Sequence, residues 1–252
     1  MPWNPDQYNK FQTERSAPFY DLLDLLSVRP NLEAVDLGCG TGELTRKLAD
    51  RIPDAQVLGL DQSPQMLARS AAFARAGLHF EQGDIRALQG RWDLIFSNAA
   101  LQWIDGHAEL FAGLWEKLEP GGQLLVQMPA NHDHISHRLA AELAESSFRQ
   151  YFPLGGRRSP VLPVEEYAQL LFELGGQEIT AMLKVYPHVL EDADAVVEWV
   201  KGTLLTSYLE RLPAQAGPRF LESYRQRLAE ALPQSPLFYG FKRVLLSARK
   251  SH

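Results

Sequence analysis

The run Val35-Asp36-Leu37-Gly38-Cys39-Gly40-Thr41-Gly42, with an acid closing the next apolar stretch at Asp61, constrains this chain more than any other feature. Ala34 to Leu37 reads as a short buried strand and Glu43 to Arg51 as a helix. Three glycines at alternate positions fall in the turn between them, where backbone comes close to a ligand and side chains would obstruct it. Gln56 to Asp61 reads as a second strand ending on a carboxylate. An acid at that place in a βαβ unit accepts hydrogen bonds from both hydroxyls of a ribose. The pattern predicts a site for a nucleoside-bearing cofactor.

Which cofactor turns on one position. A dinucleotide fingerprint runs G-x-G-x-x-G, with the pyrophosphate on the helix N-terminus. Here the third glycine comes one residue early, at Gly42, and Glu43 stands where that fingerprint needs glycine. A fixed carboxylate repels a pyrophosphate. S-adenosylmethionine (SAM) carries no phosphate and presents an ammonium, a carboxylate and a sulfonium. SAM is therefore favoured over NAD, a flavin or a purely structural turn.

At 252 residues the chain suits one α/β domain with a generous core and a small cap. A net charge of -6 argues against broad binding to a phosphate backbone, which needs clustered Lys and Arg. The single cysteine, Cys39, lies inside the glycine turn, so no disulfide framework forms within one chain, and a small apolar filler is its expected role. No apolar run approaches the ~20 residues of a membrane span. The start, Met1-Pro2-Trp3-Asn4-Pro5, lacks the basic-then-apolar pattern of a signal peptide, and a cytoplasmic location is expected.

Strands are expected at Glu33 to Leu37, Gln56 to Asp61, Leu78 to Gln82, Trp92 to Ser97 and Gly122 to Met128. Helices are expected between them at Glu43–Arg51, Pro64–Ala76 and His107–Leu118, with another from about Gln7 to Leu26. Strands alternating with helices imply a doubly wound, mostly parallel sheet whose ligands bind at the carboxyl ends of its strands. After Met128 the rhythm changes. Helices at about Ile135–Tyr151, Pro163–Leu174, Ala193–Leu209 and Pro218–Leu232 predict a cap, and strands at Glu178 to Tyr186 and Phe238 to Ala248 bring the sheet to seven. The expected organisation is one domain over 1–252, with an N-terminal lid to about residue 30, a core to about 129, and a C-terminal half supplying cap and last strands.

The chain resembles the class I SAM-dependent methyltransferases, through the Asp36–Gly42 turn, Asp61, Gly83-Asp84-Ile85, the Ser97-Asn98 strand end and Leu118-Glu119-Pro120-Gly121-Gly122. Trp3-Asn4-Pro5 with Tyr8, Phe11 and Arg15, then Asn98-Ala99-Ala100-Leu101-Gln102-Trp103, and Gln127-Met128-Pro129 with Asn131 make it similar, more narrowly, to the trans-aconitate methyltransferases. Weaker similarity continues through Tyr167, Val197–Val200 and Tyr208-Leu209.

The resemblance implies a SAM site in which Gly38, Gly40 and Gly42 bring backbone near the methionine moiety. Asp36 either holds its ammonium or braces the turn. Asp61, with Gln62 beside it, takes the ribose; Asp84 accepts from the adenine amino group, Ile85 packs on the ring, and Asn98 faces the methyl. Gln102 and Trp103 line the pocket. Trp3, Tyr8, Phe11 and Arg15 share one face of the lid helix. An Arg fork suits a carboxylate, so Arg15, Arg157 and Arg158 are the candidate cations for an acid substrate. In one departure, Thr206-Ser207 stands where the best-known aconitate enzyme has Arg-Pro, which implies either a substrate with fewer carboxylates or a replacement cation such as Lys201. His132, His134 and His137 lack the spacing and partners of a metal site and read as solvated helix-start histidines. No metal is expected.

The implied reaction is methylation of a carboxylate on a small polycarboxylic acid. A carboxylate is already ionised at neutral pH, so no general base is required and no catalytic side chain is assigned; positioning carries the reaction. The alternatives are a malonyl-carrier-protein O-methyltransferase of biotin synthesis, a non-catalytic SAM-binding module, and an NAD-dependent dehydrogenase. Nucleic-acid methylation is disfavoured, because Ser97-Asn98-Ala99-Ala100 lacks the prolines and aromatic that clamp a flipped base. The partner expected is a small carboxylic acid, with no nucleic acid or membrane, and the chain is expected to be a monomer or weak homo-oligomer.

Overall fold

The computed structural model describes residues 12–252, with side chains from Ser16 onward. The expectations for Trp3, Tyr8, Phe11 and the Arg15 side chain lie outside the described residues.

Seven strands form one sheet: β1 Glu33–Leu37, β2 Gln56–Asp61, β3 Leu78–Gln82, β4 Trp92–Asn98, β5 Leu118–Pro129, β6 Gly176–Leu190 and β7 Leu237–Lys250. Their order is β3-β2-β1-β4-β5-β7-β6. β1 to β5 pair in parallel, and β7 runs antiparallel to β5. This is the seven-stranded, mostly parallel α/β sheet that the alternation predicts. β1 and β2 are buried at every position after their first except half-buried Asp61, because helices cover a parallel sheet on both faces. The strand order reverses between β1 and β4. In such a sheet the crevice at the carboxyl ends beside that reversal is where ligands bind.

The helices are α1 Gln12–Leu23, α2 Glu43–Arg51, α3 Pro64–Ser70, α4 His107–Glu116, α5 Ile135–Glu145, α6 Val164–Glu173, α7 Ala193–Lys201, α8 Thr206–Leu209 and α9 Ala216–Ala231. At α3 the Ser63 hydroxyl accepts from Met66 N, and Pro64 takes the first turn, where a missing N–H costs nothing. The helix stops sooner than its expected end at Ala76, passing into a 3-10 turn at Ala71–Phe73. The single helix expected over Ala193–Leu209 is two. Leu205 N donates to Val200 O and the Thr206 hydroxyl donates to Lys201 O, so carbonyls at the end of α7 are satisfied without continuing it.

The chain divides into two compact units. One holds Ala17–Pro129, Pro160–Lys184 and Arg243–His252; the other holds Ala130–Ser159 and Val185–Lys242. The first has a core of Phe19, Leu22, Leu48, Val57, Leu94, Phe96 and neighbours from α1, α2 and the sheet, with Phe19 edge-on to Phe96 at 5.8 Å. The second is built on α5, α7 and α9, around Leu143, Phe148, Trp199, Tyr208, Phe220 and Tyr224. Among the described residues no helix is long and apolar enough to cross a membrane.

Candidate functional site

The glycine turn is held by close packing on one side and is open on another. Gly38, Gly40 and Gly42 all have left-handed φ, at 78°, 57° and 80°. A Cβ on Gly38 would stand 2.2 Å from the Ala100 Cβ, so only glycine lets the loop after β4 reach the turn. A Cβ on Gly42 would meet Phe80 at 2.8 Å and Ser70 at 2.7 Å, which makes this glycine a packing residue beneath α3 and β3. At Gly40 a Cβ would meet nothing within 4 Å. The turn offers its bare backbone to open space there.

Asp61 ends β2 half-buried, with Oδ2 accepting from Gly40 N at 2.9 Å and Oδ1 from Ser63 N at 2.8 Å. An ionised carboxylate has about four acceptor positions. Two backbone donors fix its plane and leave one position on each oxygen, the number a vicinal diol uses. Gln62 beside it is exposed, and its carbonyl accepts from the Gln82 amide at 3.2 Å.

Asp36 is buried, and its Oδ2 accepts from the Thr45 hydroxyl at 2.6 Å, tying β1 to α2. Burial pushes its carboxyl up to about 7 against the Thr45 hydrogen bond, and the Asp61 charge adds to the rise. Cys39 next to it is buried, and burial pushes its thiol up, so it is no thiolate nucleophile.

Asp84 caps the 3-10 turn Ile85–Ala87 by accepting from Arg86 N, and its Oδ2 pairs with Arg86 Nη2 at 2.6 Å. The Arg86 guanidinium holds its carboxyl below the usual carboxylate range. Ile85 Cδ1 lies 4.0 Å from where a Gly38 Cβ would be, so the turn after β3 and the glycine turn are neighbours.

β4 delivers the loop from Asn98 to Trp103. Ser97 Oγ donates to Leu37 O at 2.9 Å, fastening the β4 end to the β1 end. Ala99 sits at φ 57°, an uncommon conformation for a residue with a Cβ. Its N–H donates to Gln127 O at 2.9 Å, and its carbonyl accepts from the Gln102 side chain at 2.7 Å. The Asn98 Oδ1 is buried and has no partner among the described residues. Trp103 is half exposed.

The sequence reading missed His107. It lies buried in the first turn of α4, with Nε2 on Leu101 O at 3.2 Å and Nδ1 on the Tyr167 hydroxyl. Leu101 O only accepts, so Nε2 carries the proton and Nδ1 accepts from Tyr167. The Tyr167 oxygen in turn accepts from Leu162 N at 3.1 Å. One directed chain therefore ends on the loop that bears Asn98, Gln102 and Trp103. Burial pushes the imidazole down, keeping it neutral. The only sequence signal for it was a histidine one residue after Gly106, at the start of an apolar helix.

Arg157 and Arg158 follow the Gly155-Gly156 turn in the helical unit, where a Gly156 Cβ would stand 3.1 Å from both Ala141 and the Tyr208 hydroxyl. Lys201 pairs with Glu198 at 3.3 Å. His132 is exposed, but His134 caps α5 by accepting from Ser136 N, and burial pushes His137 down to about 3. The last two are half-buried and hydrogen-bonded to Ser136 rather than fully solvated. Among the described residues no group of three His, Cys, Asp or Glu is placed to hold a metal.

The open backbone at Gly40, the doubly anchored Asp61, Ile85 beside Gly38 and the unsatisfied Asn98 acceptor are of a chemical kind that fits SAM. The chain is similar to known methyltransferases. A methyltransferase domain family matches residues 34–122. A trans-aconitate 2-methyltransferase of Deinococcus radiodurans is 50% identical over 99% of this chain and 99% of its own. One from Acidovorax sp. is 40% identical over 99% and 98%. The fold also matches the YcgJ protein of Bacillus subtilis, with a TM-score of 0.62 at 14% identity over 93% of this chain and 98% of that one. A Haemonchus contortus phosphoethanolamine N-methyltransferase 2 solved with SAM gives 0.58 at 18% identity over 93% and 52%.

Proposed function

The chain belongs to the trans-aconitate 2-methyltransferase family of SAM-dependent methyltransferases, and we propose that it methylates a carboxylate of a small polycarboxylic acid, trans-aconitate first among them. SAM, when bound, supplies an electrophilic methyl on a sulfonium and leaves as neutral S-adenosylhomocysteine. The cofactor half of the reading rests on the pairing of a bare Gly40 backbone with an Asp61 carboxylate already oriented by that same backbone N–H, and the substrate half on the relatives' names.

In this reading Asp61 accepts the ribose hydroxyls, Asp84 accepts the adenine amino group without releasing Arg86, and Ile85 covers the ring. Asn98 Oδ1 accepts from the ammonium side of the cofactor. Ala99, held in its unusual conformation by Gln127 and Gln102, fixes where Asn98 points. No group on this rim is asked to move a proton, because the attacking oxygen arrives ionised. The rim's work is to exclude water and to hold that oxygen in line with the departing bond, an arrangement worth about 7–11 kcal/mol in well-oriented reactions. Arg15, Arg157 and Arg158 are candidate cations for the acid.

The test is a transfer assay with methyl-labelled SAM against di- and tricarboxylic acids and a malonyl carrier-protein thioester. Trans-aconitate is expected to give the highest kcat/KM. A higher value for a monocarboxylate or the malonyl thioester overturns the substrate while leaving the methyltransferase assignment standing.

A further inference from the structure

Gln127 and Arg243 are buried polar residues with no part in holding the cofactor. Gln127 is fully buried near the carboxyl end of β5, and Arg243 is buried on β7. Asn98 and Gln127 are register partners, so their side chains leave the same face of the sheet. Across the next ladder Gln127 faces Leu245, and Arg243, two residues from Leu245, shares that face. The Arg243 Nη1 donates to Gln127 Oε1 at 3.4 Å, which confirms it. Three polar side chains thus form a row over β4, β5 and β7.

The polarity of that row is specific. Gln127 turns its oxygen to the guanidinium, and its Nε2 is a buried donor with no partner among the described residues. Such a donor costs free energy unless something accepts from it. At the other end of the row Asn98 presents an unpartnered acceptor. The row therefore runs from an acceptor beside the glycine turn to a donor and a cation one and two strands away. Neighbouring strands lie about 4.8 Å apart, a spacing comparable to that between carboxylates on one small acid.

We propose that Gln127 Nε2 and the Arg243 guanidinium bind a non-reacting carboxylate of the substrate, next to the Asn98 loop where methyl transfer takes place. This rests on the polycarboxylate reading above. The non-reacting group is specified because a guanidinium on the attacking oxygen would draw off the charge that makes it a nucleophile. Gln127 has a second task in the same arrangement, since its backbone carbonyl holds Ala99 N. Substrate binding and the set of the Asn98 loop thereby meet in one residue. A carboxylate held there is shielded from water, where a charge-assisted fork discriminates strongly between an anion and its neutral amide.

The experiment compares wild type with Arg243→Lys, Arg243→Gln and Gln127→Leu, using trans-aconitate and analogues in which one carboxylate is a carboxamide. SAM affinity is measured by calorimetry on each folded variant. Wild type is expected to prefer the acid over at least one amide by about tenfold or more in kcat/KM. Arg243→Gln should raise KM for the acid by a similar factor, keep SAM affinity within about twofold, and erase the preference for that amide's parent. Arg243→Lys should restore part of it, and Gln127→Leu should lose part of it. Should Arg243→Gln not fold, the acid-to-amide ratio in Arg243→Lys and Gln127→Leu decides the matter. Equal losses on acid and amide would mean a packing role and overturn the assignment. If wild type methylates no polycarboxylate at all, the substrate reading fails first, which is a different result from an unchanged preference in the variants.

Discussion

The two units bury polar groups in different ways. In the sheet unit several of the buried or half-buried groups sit at strand ends and face either backbone or open space: Asp61 on two N–H groups, Ser97 on Leu37 O, Asn98 with an unpartnered oxygen. In the helical unit buried polar atoms hang on aromatic rings packed in the interior. The Tyr224 hydroxyl donates to Ser136 O at 2.9 Å, and Ser136 Oγ meets the Tyr239 hydroxyl at 3.3 Å. Tyr208 and Phe220 stack at 5.6 Å, and Phe148 stands edge-on to Phe220 at 5.0 Å. The first arrangement leaves acceptors aimed at something yet to bind. The second satisfies itself and specifies packing. Chemistry and stability are therefore expected to separate under mutation.

The largest effect is expected in the helical unit. Phe220 is fully buried in its aromatic core, and Phe220→Ala should cost about 3–5 kcal/mol of stability through lost burial and the cavity left behind. Denaturant unfolding measures that loss. Calorimetry on the folded fraction should find SAM affinity unchanged, and a parallel loss of SAM binding would break the separation.

Next comes Asp61→Ala, the converse case. Each hydroxyl bond to a charged acceptor is worth about 1.5–3 kcal/mol, so SAM affinity should fall by at least about tenfold. Melting temperature without ligand should change far less than in Phe220→Ala. Wild-type affinity in a folded variant removes Asp61 from the site.

A third effect sharpens the comparison through pH. Asp36 has its native carboxyl pushed from 3.8 to about 7. Between those values the native state binds more protons than the unfolded chain, so this group's contribution falls as pH rises across the window and is level above it. Asp36→Asn removes the slope, and its stability relative to wild type should rise from pH 4 to 7 by at least about 1.4 kcal/mol. Parallel stability curves for the two proteins would show that Asp36 does not titrate there.

What could be read from the sequence follows the same division. β1, β2, β3 and α2 fall on their expected ranges because short apolar runs, glycines and Pro64 are local signals. Of the expected cofactor residues, the structure gathers Gly38, Gly40, Asp61, Ile85 and Asn98 along one rim, whereas Gly42 turns to Phe80 and Ser70. A glycine pattern cannot tell a position open to space from one emptied by a neighbouring ring. The break between α7 and α8 was invisible because Trp199, Val200, Leu205 and Tyr208 are all buried, so apolar spacing runs through it. Arg243 was missed for a related reason: it lies in what reads as an ordinary strand, and only pairing with β5 brings it to Gln127.

The smallest effect is expected at Tyr167, where the sheet unit uses an aromatic hydroxyl as the helical unit does but aims it at the loop of the site. Tyr167→Phe keeps the ring against Phe111, 5.2 Å away, and deletes the O–H that His107 Nδ1 accepts. His107 retains Nε2–H on Leu101 O, so the loop stays folded, but the ring that holds it loses its Tyr167 partner and Leu162 N loses its acceptor. A net loss of about 1 kcal/mol in loop order corresponds to roughly a fivefold fall in kcat, with SAM affinity unchanged. The pH profile separates this from simple loosening. In wild type, protonating Nδ1 would turn a donor onto a hydroxyl that already donates to it, and burial opposes the charge while Asp105 favours it. Without the hydroxyl the first obstacle is gone, so the acid limb of kcat should move to higher pH. A kcat lowered by the same factor at every pH would leave Tyr167 as packing and free His107 from any part in setting the loop.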